Sequence, residues 1–249
     1  MNVPRPSSPV TQVSKRHPLN GFNRLAPLYD RIASIVFRGA ILTAQRAVIK
    51  HLHQVDHALF IGGGSGDLLA EALRRHPQLS FTYLEASSAM IERAKLRLTP
   101  DESTRVEWVH ATHEWLYDTS YFERGSEEDI ERVQNEVEVE DSRTGREKRA
   151  IITCFFLDVL TEEEVERLID FVTPHVSRWL FVDFCPSDSW WSRALLRFMY
   201  LCFRLTTGLV NQSLPDSPTL LMKRGWVGVE RASFCGEMIH AISYKRLRK

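Results

Sequence analysis

The sequence predicts an α/β fold: a doubly wound, mostly parallel seven-stranded sheet with an antiparallel C-terminal strand. Three observations predict it. Short apolar runs alternate with helical patterns five times from about residue 57. Four of the twelve glycines fall within five positions, directly after the first of those runs. The chain then closes on two neighbouring strand-like runs, WVGVERASFC and EMIHAISYKR, which read as an antiparallel pair.

The elements follow in order. Residues 1–20, rich in Pro, Ser and basic side chains, read as a disordered tail. Residues 21–53 carry apolar residues at helical spacing, punctuated by Pro27 and Gly39, and predict an N-terminal helical cap. ALFI is the first buried strand, DLLAEALRRH a helix and FTYLEA the second strand. SSAMIERAKLRL is a helix with Ser87 or Ser88 as N-cap, and VEWVHAT is the third strand. The charged stretch 117–149 interrupts the pattern and reads as a solvated insertion. AIITCFFL is the fourth strand. TEEEVERLIDFV is a helix with Thr161 and Glu164 at capping-box spacing, and RWLFVDF is the fifth strand. Residues 187–225 form a helical insertion after it.

Bulk composition narrows the class. A chain of 249 residues with 43% hydrophobic and 26% charged side chains suits one globular domain over 21–249. Lys+Arg and Asp+Glu balance at 32 each, so no basic field recommends a nucleic-acid partner. Four scattered cysteines form no CxxC pair, which argues against a metal site or disulfide framework and suits a reducing compartment. No stretch has the length of a membrane span and the first residues lack a signal-peptide core, so a cytoplasmic protein is expected.

The glycine turn carries the chemistry. A dinucleotide GxGxxG counted from Gly62 meets Gly64 and then Asp67, so its third glycine is missing. An aspartate at the helix start also opposes a pyrophosphate there. The alternative spacing, GxGxG, is met by Gly62, Gly64 and Gly66. Glu85 ends the second strand, 19 positions after Gly66, where a carboxylate can accept from both ribose hydroxyls. This indicates an adenosine-containing ligand and leaves NAD and S-adenosylmethionine both open. The C-terminal strand pair adds weight to the second.

The turn IGGGSG, with LEASSAM, HATHEW and ITCFFLDVLTEEE after the next three strands, resembles the class I, Rossmann-like S-adenosylmethionine-dependent methyltransferases. FNRLAPLYD is similar to the N-terminal helix of the ubiquinone/menaquinone C-methyltransferase type. The resemblance implies S-adenosylmethionine as cofactor. It implies ribose binding by Glu85, and adenine contacts from Ala86, Met90, Thr112 and His113. Tyr29 is expected near the methionine end, with Thr153 and Phe155 bordering the methyl group. Phe60 stands where many members carry an acid two positions before the first glycine.

Methyl transfer is an in-line displacement at an activated sulfonium, so the protein must mainly align donor and acceptor and exclude water. A general base is needed only where the acceptor loses a proton. Asp158 and Asp183 follow or end strands four and five and are the candidates. In 189–207, Arg193, Arg197 and Arg204 share one narrow helical face among apolar and aromatic residues. That stripe can form a lid over a small apolar or amphipathic acceptor, a membrane-surface contact or a homodimer interface. Two other readings compete with the methyltransferase: an NAD(P)-binding oxidoreductase, and a non-catalytic interaction protein of the same fold.

Overall fold

The computed structural model describes residues 39–53, 55–118, 121–122, 148–185 and 214–246. The expectations for the 1–20 tail, Tyr29, the centre of the insertion and the 189–207 stripe lie outside the described residues.

The seven strands are β1 (His57–Ile61), β2 (Ser80–Glu85), β3 (Val106–His110), β4 (Arg149–Cys154), β5 (Arg178–Phe184), β6 (Trp226–Phe234) and β7 (Ile239–Arg246). They form one sheet in the order β3-β2-β1-β4-β5-β7-β6. Pairs from β3 through β5 are parallel; β7 runs antiparallel to both β5 and β6. This is the predicted topology. The strand order reverses between β1 and β4, and such a switch point opens a crevice at the carboxyl edge of the strands.

Among the described residues the helices are α1 (Ala40–Ile49), α2 (Asp67–Arg75), α3 (Ser88–Lys95), α4 (Pro100–Ser103), α5 (Trp115–Asp118), α6 (Glu162–Val172) and α7 (Ser217–Lys223). Their apolar stripes decide which face each covers. Leu68, Leu69, Ala72 and Leu73 of α2 pack with Phe60, Phe81 and Tyr83 on one face, joined by α1 and by Ala94 of α3. Val165, Leu168, Ile169 and Val172 of α6, at helical i, i+3, i+4, i+7 spacing, pack with Trp179 and Phe181 on the other. β1, β2, β4 and β5 are buried along nearly their whole length, so they read as continuous apolar runs rather than alternating ones.

Local chemistry ends the helices. Thr161 and Glu164 form the expected capping box at α6, and Thr99 with Glu102 forms another at α4. Ser87 is the N-cap of α3. The Arg105 guanidinium donates to the carbonyls of Leu73, His76 and Leu79 at 3.0–3.1 Å, satisfying the end of α2.

At the opposite, amino edge of the sheet, the ends of the charged insertion are tied down. The Tyr121 hydroxyl lies 3.1 Å from His57 Nε2, and Phe122 stacks on His175 with ring centroids 4.4 Å apart. Asp56 and Lys148 exchange bonds: the Asp56 amide donates to the Lys148 carbonyl at 3.0 Å, and the Lys148 amide to Asp56 Oδ2 at 2.9 Å. Among the described residues no helix is long and apolar enough to cross a membrane.

Candidate functional site

The carboxyl edge of β1 and β2 gathers the glycine turn and Glu85. Each glycine answers a different demand. At Gly62 (φ +65°) a Cβ would stand 2.6 Å from the Phe156 ring. At Gly63 it would fall inside the Tyr83 ring, and at Gly66 (φ +80°) against the backbone and side chain of Ala94. Gly64 is different: φ is +64°, yet no atom lies within 4 Å of the Cβ position. The turn is therefore packed on its inner side and open at Gly64, the geometry a close-approaching ligand needs.

Glu85 stands beside that opening. Its Oε2 accepts from the Gly64 amide at 3.0 Å and its Oε1 from the Ser87 amide at 2.8 Å. A carboxylate offers about four acceptor positions, so capacity remains on both oxygens for a vicinal diol. Burial pushes the Glu85 carboxyl above its ordinary range, and the amides of Ser87, Gly64 and Ala86 pull it back. A ribose diol fits this arrangement: a fixed, half-buried carboxylate beside a side-chain-free peptide.

Ala86, Met90, Thr112 and His113 are all partly buried around the same edge. The Met90 amide donates to Ser87 Oγ, and the Ala86 carbonyl lies 3.1 Å from His110 Nε2. The His113 ring packs edge-on against Phe156 at 5.8 Å, which links the exits of β3 and β4. Phe155 takes φ +53°, donates its amide to the Val182 carbonyl at 2.7 Å and rests its ring near Phe184. Thr153 is placed otherwise than the sequence suggests. Its side chain is fully buried, and its hydroxyl accepts from Trp179 Nε1 at 2.8 Å. That hydroxyl points into the α6 side of the core, so only its backbone borders the edge.

The two aspartates also differ from expectation. Asp183 is 1% exposed. Its Oδ2 accepts the amides of Leu157 at 2.8 Å and of Phe156 and Asp158 at 3.3 Å, and its Oδ1 that of Phe184 at 2.9 Å. It is the anchor of the β4 exit turn. Asp158, on the 3-10 turn Leu157–Val159, sits against it. Burial pushes the Asp158 carboxyl up to about 6, and burial with the neighbouring carboxyl pushes Asp183 up as well. The two carboxyls titrate as a pair that holds one proton between them, with the four backbone amides anchoring Asp183 in place.

Asp67 begins α2 and is paired with Arg97 at 2.7 Å, which keeps a carboxylate where a pyrophosphate would sit. Sequence reasoning missed Gly63, Tyr83 and Phe156. Only the density of glycines hinted at the first.

No family model matches the chain. Demethylmenaquinone methyltransferases of Chlamydia muridarum and Thermotoga maritima are similar to it, at 32% identity over 74 residues and 31% over 91. Those stretches are 30% and 36% of this chain and 32% and 40% of the relatives, so the match spans little more than a third of their length. An O-methyltransferase family protein from Burkholderia thailandensis superposes with a TM-score of 0.61 at 15% identity, over 92% of this chain and 61% of that one. The mitomycin 7-O-methyltransferase MmcR gives 0.56 at 20% identity, over 92% and 59%. Human N-acetylserotonin methyltransferase in complex with SAM gives 0.51 at 12%, over 93% and 56%. The chain has the α/β fold of the class I methyltransferases.

Proposed function

We propose that the chain is an S-adenosylmethionine-dependent methyltransferase acting on a small, apolar or amphipathic acceptor. The observation that carries this reading is the Glu85 carboxylate, fixed by two backbone amides beside the open Gly64 peptide. Glu85 accepts from the ribose hydroxyls; Gly62, Gly64 and Gly66 shape the turn. Ala86, Met90, Thr112 and His113 border the adenine, and Phe155 closes the edge toward the reacting carbon. S-adenosylmethionine supplies an activated methyl group when bound. The chain's own work is then to orient that group toward the acceptor and to exclude water. Where the acceptor must lose a proton, Asp158 is the residue at the right edge to take it, because Asp183 is committed to the turn it holds. The ion-paired Asp67 at the start of α2 weighs against a dinucleotide and hence against the oxidoreductase reading.

Isothermal calorimetry tests the proposal. S-adenosylhomocysteine is expected to bind in the micromolar range and NADH not to bind. Absence of S-adenosylhomocysteine binding at millimolar concentration refutes it. Demethylmenaquinone, the acceptor in the names of the curated relatives, is the first acceptor to assay.

A further inference from the structure

We propose that Tyr83 is a positioning residue for the cofactor turn: its hydroxyl fixes the Gly64 peptide, and so sets where the Glu85 carboxylate stands. The inference rests on the reading that this turn binds an adenosine cofactor. Tyr83 lies on β2 and is fully buried. Its hydroxyl donates to the Gly64 carbonyl at 2.9 Å, while the Gly64 amide donates to Glu85 Oε2 at 3.0 Å. Two side chains from one strand, at positions 83 and 85, thus hold both polar groups of one glycine. Residues i and i+2 share a strand face, which is why they reach the same glycine. Gly64 has a positive φ and open space at its Cβ position, and these two bonds tie both its polar groups to β2.

The ring is itself held. Phe60 meets it edge-on at 5.4 Å and Trp108 at 5.2 Å, and Gly63 lies so close that a Cβ there would enter the ring. Phe60 therefore supports the turn through Tyr83. A phenylalanine would fill the same space as Tyr83. The hydroxyl is the part that packing does not explain, and its acceptor, the Gly64 carbonyl, belongs to the turn.

The test compares the parent chain with Tyr83→Phe by calorimetry and thermal unfolding. The parent is titrated first with S-adenosylhomocysteine; failure there refutes the cofactor reading itself. With a binding parent, Tyr83→Phe is expected to raise Kd for S-adenosylhomocysteine about five- to twentyfold, with a midpoint of unfolding within a few degrees of the parent. Adenosine is expected to lose affinity by the same factor, because the effect enters through the ribose-facing carboxylate. A tyrosine with only a structural role would lower the midpoint and leave the affinity of the folded protein unchanged. Affinity within twofold of the parent, or a loss for S-adenosylhomocysteine without one for adenosine, overturns the proposal. If Tyr83→Phe does not fold, Gly63→Ala separates the hydroxyl from the turn on the loop side. The same loss is expected there, and parent-like affinity again overturns the proposal.

Discussion

Two carboxylates stand at the carboxyl edge of this sheet, Glu85 at the end of β2 and Asp183 near the end of β5, and they are held in opposite ways. Glu85 takes one backbone amide on each oxygen and remains partly exposed. Asp183 takes four amides and is 1% exposed. Both are carboxylates at or near the carboxyl end of a strand; what differs is how much acceptor capacity the surrounding backbone has already used. A carboxylate with capacity left can recognise a ligand. One that is saturated holds a turn.

The contrast predicts a double dissociation. Asp183→Ala should remove on the order of 4 kcal/mol of stability, since it strips four backbone donors of their acceptor in a buried site. Urea denaturation measures this, and a loss below about 1 kcal/mol would erase the distinction. Glu85→Ala should act on binding instead, weakening S-adenosylhomocysteine about ten- to a hundredfold. Its effect on stability should be smaller than that of Asp183→Ala, because solvent reaches the orphaned amides. Equal losses of stability at the two sites would break the comparison.

A smaller effect comes from pH. The Asp158 carboxyl holds its proton up to about 6, whereas an unperturbed aspartate releases it near 3.8. Between those values the folded chain binds more protons than the unfolded one, so stability falls as pH rises. The expected loss is on the order of 2 kcal/mol. Glu85, also raised, adds in the same direction. Asp158→Asn should flatten part of the slope in urea midpoints measured from pH 4 to 7, the rest staying with Asp183 and Glu85, which burial also raises. An unchanged slope would place the shared proton elsewhere.

The strands were legible because buried parallel strands are written as unbroken apolar runs, and α6 because its capping box is local. The fourth strand ends earlier than its apolar run. Cys154 closes the ladder, Phe155 turns at φ +53°, and the 3-10 turn begins at Leu157. GxGxG and Glu85 were readable as spacing. The need for glycine at position 63 was not, because it is imposed by Tyr83 from another strand. The same holds for Asp183, whose placement suggested a base. Three of its four partners lie 25–27 positions away, so no local pattern records them. Thr153 follows the same logic, its hydroxyl being claimed by Trp179 of the neighbouring strand.

The anchoring of Tyr121, Phe122 and Lys148 at the amino edge carries a consequence for modularity. The sheet's full strand length separates those anchors from the glycine turn, and the β4 backbone leaves them already paired with β1. Phe122 and Lys148 thus leave and rejoin the sheet at the edge away from the glycine turn. A reporter segment inserted between those two anchors should therefore leave the unfolding midpoint of the sheet unchanged.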